Sequence, residues 1–245
     1  MAKIELKTES LRTLLDLCGL GGNLEHPSIL LNVTATSIKA SAANRDEKST
    51  DIVISGVLGV LEGTFEEIGE LGIGNLSIVR KFLATVTSEK LSLKKTENKL
   101  VFETGKSRFS ETLRNPKYIT NVLQEENFNK AVTKVQGNNF TLKKEDVKKI
   151  IQAYRTLPSA EIQIAGKDKT LIIQLTNDSN ELTLNFDLED SIELFKIKFL
   201  DPFMQLLSQL GDHDVKFSMR DKSPAYLKVE DENLNVQYLV APIEK

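Results

Sequence analysis

The sequence has little cysteine, little histidine and no long apolar run. Cys18 is the only cysteine among 245 residues, which excludes an intrachain disulfide and a zinc site built from several cysteines. No apolar run approaches the ~18 residues of a membrane-spanning helix, and the opening MAKIELKTES lacks the apolar region of a signal peptide. We therefore expect an intracellular protein, cytoplasmic by default.

The sequence also lacks an excess of basic charge. It has 32 Lys and Arg against 35 Asp and Glu, a formal net charge of -3, which excludes a protein that coats nucleic acid with a generally basic surface. A local basic surface on an acidic body stays possible. The composition is otherwise ordinary for a globular protein, with 40% hydrophobic and 27% charged residues. The length suits one large domain or two smaller ones.

No catalytic or cofactor-binding motif is present. His26 and His213 each lie in a loop-like context without a cysteine or a second histidine at ligand spacing. Gly105-Lys106-Ser107 resembles the end of a phosphate-binding loop, but Leu100 stands where the loop requires an earlier glycine, so we interpret the triplet as a hairpin turn. The motifs of serine hydrolases, zinc proteases, calcium loops and dinucleotide folds are missing. We predict no enzymatic activity, no metal site and no cofactor.

Four segments show the 3.6-residue apolar period of amphipathic helices. The clearest is Thr141–Thr156, which has one apolar face made of Val147, Ile150, Ile151 and Tyr154. Basic residues lie opposite the apolar face in three segments: Arg12 in the first, Arg80 and Lys81 in the second, and Lys144, Lys148, Lys149 and Arg155 in the third. The fourth, opened by Asp201-Pro202, offers only uncharged polar residues there. A basic outer face is also typical of an ordinary solvated helix, and this alternative stays open.

Strand-like runs surround these helices in a two-fold pattern. Each half of the chain has the order strand, helix, several strands, helix, several strands, with little identity between the halves. This order predicts an α+β fold with mostly antiparallel sheets and two helices per domain on one face. We predict an N-terminal domain at 1–117, a linker at 118–130 and a C-terminal domain at 131–245. A repeat that places basic helices on one side favours a phosphate-facing surface that contacts DNA backbone and not base edges.

Two segments resemble a known family, the DNA sliding clamps of the proliferating-cell-nuclear-antigen (PCNA) type, which include archaeal and T4-type phage clamps. SPAYLKVEDENLNVQYLVAPI, residues 223–243, is similar to the clamp ending, a proline-containing strand followed by a strand closing on Tyr-Leu-x-Ala-Pro-x. AVTKV at 131–135, which we predict to be a strand, is followed by KKEDVKKIIQAYRTL at 143–157, and together they resemble the opening of the second clamp domain. The resemblance covers the whole chain.

The resemblance implies a ring-forming, non-enzymatic processivity factor. In the family, three two-domain subunits close around duplex DNA, with helices lining the hole and sheets outside. The seven basic residues named above would then face the duplex and contact its phosphates without sequence specificity. Partners would be double-stranded DNA, two further copies of the chain, a DNA polymerase, a clamp loader and other replication and repair proteins that carry a clamp-binding peptide. The compartment would be an archaeal cytoplasm, an infected host cell or a eukaryotic nucleus.

The resemblance also implies a subunit interface and a partner-peptide groove. The interface would join an edge strand at Ser107–Arg114 to one at Glu181–Asp187, using Phe109, Leu113, Leu182, Leu184 and Phe186. The groove would use Ala43, Val122, Leu123, Leu210, Leu239, Ala241, Pro242 and Ile243. Ordinary internal strand pairing and core packing explain the same patterns equally well. Two alternative functions stay open: a clamp-fold subunit of a heteromeric or checkpoint-type ring, and a β-rich ligand-binding protein or enzyme.

Overall fold

The computed structural model of the chain describes residues 3–20, 28–44, 51–59, 68–119, 122–135, 137–158 and 160–243. The helices are α1 (Thr8–Cys18), α2 (Leu76–Thr85), α3 (Glu125–Lys134), α4 (Lys144–Thr156) and α5 (Asp201–Gln209). The strands are β1 (Lys3–Lys7), β2 (Ile29–Val33), β3 (Ser37–Asn44), β4 (Ile52–Gly59), β5 (Gly69–Ile73), β6 (Lys90–Lys95), β7 (Lys99–Glu103), β8 (Arg108–Arg114), β9 (Asn138–Leu142), β10 (Glu161–Thr176), β11 (Glu181–Phe199), β12 (Val215–Met219), β13 (Ala225–Asp231) and β14 (Leu234–Val240). These elements confirm the predicted α+β class. Within the ranges given, no helix is long and apolar enough to cross a membrane.

The chain divides into two compact units. The first comprises Met1–Asn44, Ile54–Gln124 and Asp231–Val236, and the second comprises Arg45–Val53, Glu125–Glu230 and Gln237–Lys245. Along the sequence, the longest segment of the first unit ends at Gln124 and that of the second begins at Glu125, inside the predicted linker. The domain bounds given above stay a prediction. His26 lies outside the described residues.

In the first unit, antiparallel strands support a pair of helices. The strands lie in the order β1-β6-β7-β8-β5-β2-β3-β4. Helices α1 and α2 contact each other, and α1 buries Leu11, Leu14 and Leu15 on the face that its apolar spacing predicts. Gly56 in β4 permits a close approach, because a Cβ atom there would lie 2.5 Å from Cys18 Sγ. The predicted hairpin turn at Gly105-Lys106-Ser107 is confirmed by the bond from Thr104 N–H to Ser107 O, 2.8 Å.

The second unit combines a small antiparallel sheet with a long hairpin. Strand β12 pairs with β13 and β9, and β10 pairs with β11 over 16 and 19 residues. Helices α4 and α5 contact each other. Stacked aromatic rings fill the interior: Phe199 and Phe203 have centroids 4.3 Å apart, and Phe140 and Phe217 have centroids 5.2 Å apart. Phe203 belongs to α5 and Phe199 to β11, so this ring pair packs α5 on the long hairpin.

Helix α3 is the main departure from the sequence prediction. Residues 125–130 were expected in a surface linker and 131–135 in a strand, but Glu125–Lys134 is helical. Phe128, at 2% exposure, and Val135, at 5%, are buried, and Ala131 and Val132 between them are half-buried. These four positions have i, i+3, i+4, i+7 spacing, which is a helical face. Strand β9 opens this part of the unit instead, and α4 begins at Lys144, three residues after the predicted Thr141.

Candidate nucleic-acid and subunit interfaces

Helix α4 presents a stripe of exposed cations. Val147, Ile150 and Ile151 are buried on its inner side, and its four basic residues Lys144, Lys148, Lys149 and Arg155 are all exposed. At about 100° per residue, Lys144, Lys148 and Arg155 lie within about 40° of each other around the helix axis. Lys149 projects about 100° away from Lys148. We call Lys144, Lys148 and Arg155 the α4 stripe.

Acidic residues accompany this stripe. Lys148 Nζ lies 2.8 Å from Asp212 Oδ1 in the loop after α5, and Lys149 Nζ lies 2.7 Å from Asp146 Oδ1 one turn away on α4. The hydrogen bond between Lys148 and Asp212, followed by their charge attraction, raises the pKa of Lys148 and lowers that of Asp212. Both pairs are exposed, so water and salt screen them strongly. Such exposed pairs contribute little to the stability of the fold.

Another aspartate, Asp214, caps the N-terminus of α4. The N-cap residue Lys143 provides no side-chain cap, and Asp214 Oδ1 accepts a hydrogen bond from Lys144 N–H at 2.9 Å instead. Asp214 Oδ2 accepts a second one from Lys143 Nζ at 3.3 Å. The backbone bond is the main cause of a lowered Asp214 pKa. The carboxylate therefore satisfies an orphan helix donor and complements the positive end of the helix dipole.

In the first unit, two of the three predicted DNA-facing residues are engaged internally. Arg12 donates to the carbonyl oxygens of Leu83 at 2.8 Å and Val86 at 3.1 Å, at the C-terminal end of α2. Arg80 pairs with Asp16 of α1 through Nε. Both arginines are only half-exposed, whereas Lys81 is exposed. Of the predicted set in this unit, Lys81 is therefore the residue best placed to reach a phosphate.

Helix α5 confirms the uncharged outer face expected from its sequence. Gln205 and Ser208 are exposed, and Phe203 and Leu207 are buried. Its first residue, Asp201, accepts a hydrogen bond from Tyr154 Oη of α4. This bond ties the start of α5 to the last turn of α4, beside Arg155. In the second unit, the exposed positive charge of the helix pair therefore comes from α4.

Strand β8 has an unpaired edge within the described residues. Leu113 N–H donates to Asn98 O at 2.9 Å, and bonded positions alternate in an antiparallel pair. The backbone groups that point toward β7 are thus those of Phe109, Glu111 and Leu113. The groups that point away from β7 are those of Arg108, Ser110 and Thr112. On the outward side, β5 pairs only with the last two residues of β8. Phe109 is half-buried against Phe82 and Phe102, with centroids 5.0 and 5.8 Å away.

The first third of β11 has a matching edge. Asn177 N–H donates to Asn180 O at 3.0 Å, so Leu182, Leu184 and Phe186 direct their backbone groups toward β10 by the same alternation. The backbone groups that point outward are those of Thr183, Asn185 and Asp187. No other described strand pairs with β11. Leu182 and Leu184 are half-buried, and Phe186 is 7% exposed. Both predicted interface strands are therefore open edges with an apolar face.

The predicted groove residues differ in exposure. Ala43 and Leu210 are fully buried and Leu239 is 8% exposed, so these three are core residues of their units. The other five are half-buried: Val122, Leu123, Ala241, Pro242 and Ile243. Ile243 N–H donates to Lys198 O at 2.9 Å, which fixes the C-terminal tail along β11.

The second unit also has an open depression of about 910 Å³ beside the hairpin turn at 177–180. Its carboxylates are Glu161, Asp178 and Asp201, and its lining contains no histidine or cysteine. Glu161 pairs with Lys198, and Asp201 bonds Tyr154 Oη. Across the described ranges, no group of three or more His, Cys, Asp or Glu side chains is placed to hold a metal ion. The depression therefore offers no assembled acid–base pair to support the enzyme alternative.

The sequence patterns missed the acidic partners of the helices. Asp16, Asp212 and Asp214 lie 64 to 71 positions from the basic residues that they bind, so no helical spacing reveals them. One signal was available: the Gly-Asp-His-Asp run at 211–214 follows a helix that lacks any cation.

Comparisons with known proteins show the fold. No protein-family model and no curated protein matches the sequence significantly. Among solved structures, the chain is similar to PCNA of A. fulgidus, bound there to the C-terminal region of FEN-1, with 13% identity, a TM-score of 0.78 and coverage of 100% of this chain and 99% of that one. It is similar to PCNA of Entamoeba histolytica with 14% identity, a TM-score of 0.79 and 99% coverage of both chains. It is also similar to a chain of the PCNA2-PCNA3 complex of Sulfolobus tokodaii, with 15% identity, a TM-score of 0.73 and 98% coverage of both. The chain therefore has the PCNA-type sliding-clamp fold from end to end.

Proposed function

We propose that the protein is a DNA sliding clamp. It closes as a homotrimeric ring around duplex DNA, without enzymatic activity of its own, and tethers DNA polymerase and other replication and repair proteins. The observation that carries this proposal is the sliding-clamp fold along the whole chain. The α4 stripe and the two open strand edges support it, because an encircling ring requires a phosphate-facing surface and self-complementary ends.

DNA is held through its backbone. The three cations of the α4 stripe are spaced along one side of a helix and have flexible side chains, which suits exchange between phosphates. Lys81 and Lys149 are exposed and add further contacts. Arg12 and Arg80 contribute mainly by holding α1 against α2. Loose contacts of this kind retain the ring without fixing its register on the duplex.

Subunits join by pairing β8 of one copy with β11 of the next. One antiparallel register places the outward-directed backbone groups opposite each other: Ser110 with Asn185 and Thr112 with Thr183. The same register places Arg108 opposite Asp187, so the open end of β8 meets an opposite charge. At its other end, Leu113 and Arg114 pair with β5 of their own subunit. The register also brings together the apolar pair Phe109–Phe186. A shift by two residues in one direction places Arg108 opposite Asn185 and loses the charge pair, and a shift in the other direction places it opposite Glu189.

Partner proteins bind by short apolar peptides. A. fulgidus PCNA binds the C-terminal region of FEN-1, and we extend that mode to this chain. The contacting residues are the half-buried members of the predicted groove, Val122, Leu123, Ala241, Pro242 and Ile243. Ala43, Leu210 and Leu239 act beneath the surface as packing residues.

The DNA role is tested by removing the lysines of α4. A variant with Lys144→Ala, Lys148→Ala and Lys149→Ala is compared with one in which the exposed hairpin lysines Lys167, Lys169 and Lys196 become alanine. Binding to a short linear duplex is measured by fluorescence anisotropy across a salt series. Each lost phosphate contact lowers the slope of log affinity against log salt by about 0.9. An α4 variant whose slope and affinity equal those of the hairpin control would refute the DNA-facing role of α4.

Ring closure is tested by native mass spectrometry. A homotrimer of this 27.4 kDa chain appears near three times that mass. A second candidate is a subunit of a heteromeric ring, which the similarity to a chain of the PCNA2-PCNA3 complex supports. A chain that stays monomeric at micromolar concentration contradicts the homotrimer and favours the heteromeric alternative.

A further inference from the structure

The loop after α5 supplies two aspartates to α4, and they act on different parts of the helix. Asp214 bonds the backbone N–H of Lys144 and so supports the helix itself. Asp212 bonds the side chain of Lys148, 2.8 Å from Nζ. Removing the charge of Asp212 therefore leaves the helix cap in place and changes the state of one cation.

Lys148 lies at the centre of the surface that would meet DNA. It belongs to the α4 stripe, between Lys144 and Arg155 along the helix. The Asp212 side chain is 87% exposed and the Lys148 side chain 56% exposed, so the pair sits at the surface that a duplex approaches. A carboxylate and a phosphate oxygen accept hydrogen bonds from the same ammonium group. Asp212 engages one of the three N–H donors of Lys148 and its negative charge repels an approaching phosphate, so the carboxylate and the phosphate compete for this side chain.

We infer that Asp212 is an internal competitor of DNA phosphate for Lys148 and so weakens the grip of each subunit on the duplex. This inference rests on the proposed DNA-encircling function. The pairing of Lys149 with Asp146 and of Arg80 with Asp16 follows the same principle of local neutralisation. Asp212 is the clearest case, because its partner lies on the α4 stripe and its side chain is the most exposed of these acids.

The test compares Asp212→Asn with a matched control, Asp178→Asn. Asp178 is an exposed acid of the same unit in the hairpin turn, where asparagine is readily accommodated. Anisotropy of a short linear duplex is measured at about 50 to 200 mM salt. Freeing Lys148 adds a phosphate contact, so the slope of log affinity against log salt steepens by about 0.9 for each subunit that engages the duplex. We expect Asp212→Asn to bind several-fold more tightly at the low-salt end and Asp178→Asn to match the wild type.

A second pair of variants assigns the effect to Lys148. In a Lys148→Ala background, Asp212→Asn has no further effect if the two residues act on each other. An equal gain in both backgrounds overturns the inference, because general charge then explains it. If the wild type shows salt-dependent binding but Asp212→Asn equals Asp178→Asn, the inference fails while the proposed function stands. If no variant binds the duplex in a salt-dependent way, the proposed function fails and the inference falls with it.

Discussion

The proposed register between β8 and β11 predicts the outcome of a charge exchange. In that register Arg108 of one subunit lies opposite Asp187 of the next. The Arg108 side chain is 68% exposed and Asp187 is exposed, so reversing either charge leaves the core of its unit intact. Arg108→Asp alone, or Asp187→Arg alone, replaces an attractive pair by a like-charge pair at every interface.

The magnitude follows from the cross-strand geometry. An opposite-charge pair in a sheet contributes about 0.5 kcal/mol and a like-charge pair costs about the same, so each reversal costs about 1 kcal/mol per interface. Three interfaces close a ring, which gives about 3 kcal/mol and a ~150-fold weaker trimer association constant. Because three chains assemble in one step, the concentration of half-assembly rises as the square root of that factor, ~12-fold.

The assay is the mass distribution across a dilution series, by native mass spectrometry or light scattering. Each single variant should dissociate at about ten-fold higher concentration than the wild type. The double variant Arg108→Asp with Asp187→Arg should recover most of the loss, since the pair is restored with reversed polarity. A control reversal at Glu97, in the turn between β6 and β7, should leave assembly unchanged. A double variant no better than either single one would refute this register.

Two further predictions concern the internal partners of the helices. Arg12→Ala should lower the free energy of unfolding, measured by chemical denaturation, by about 2 to 4 kcal/mol, because a charged donor to two helix-end carbonyls is lost. The control Lys81→Ala should change this free energy by less than about 0.5 kcal/mol. If Arg12→Ala is as stable as Lys81→Ala, its cap on α2 is unimportant. The pKa of Asp214 is lower in the folded protein than in the unfolded chain, where it is ~3.9. The charge of Asp214 therefore stabilises the fold above pH ~3.9, and this contribution disappears as the pH falls through the folded pKa. Asp214→Asn should therefore be less stable by about 0.3 to 1 kcal/mol at neutral pH, with the difference shrinking below about pH 4 in acid-dependent denaturation; a constant difference would contradict it.

The helices that pack on the sheets were predictable because burial imposes a period. The apolar spacing of Val147, Ile150 and Ile151 located α4. In the structure, Asn75 caps the start of α2 by accepting a hydrogen bond from Ile78 N–H. Helix α3 has the same kind of period through Phe128 and Val135, but Asn and Glu residues around it favoured a linker interpretation. The polar composition thus outweighed a weakly apolar face, which the fold stabilises by burying Phe128 and Val135.

The apolar period could not predict which basic side chains of the candidate site are engaged inside the protein. The helical pattern shows that Arg12 and Lys81 both lie away from the apolar faces of their helices. It therefore predicts the same exposure for both side chains. The structure separates them, because the C-terminal carbonyls of α2 lie within reach of Arg12 and leave Lys81 to solvent. Contacts between residues more than 60 positions apart depend on how the helices pack, which no local pattern records.

Partial neutralisation fits a ring better than a fully cationic surface would. A protein that binds DNA from one side needs a large excess of positive charge, because dissociation ends its contact. A closed ring cannot leave the duplex sideways, so topology supplies retention and strong phosphate binding only adds resistance to sliding. In the proposed ring, acidic partners such as Asp146 and Asp212 would lower that resistance while keeping lysines available for transient contacts. The net charge of -3 and the mixed charges of α4 are then two aspects of the same requirement.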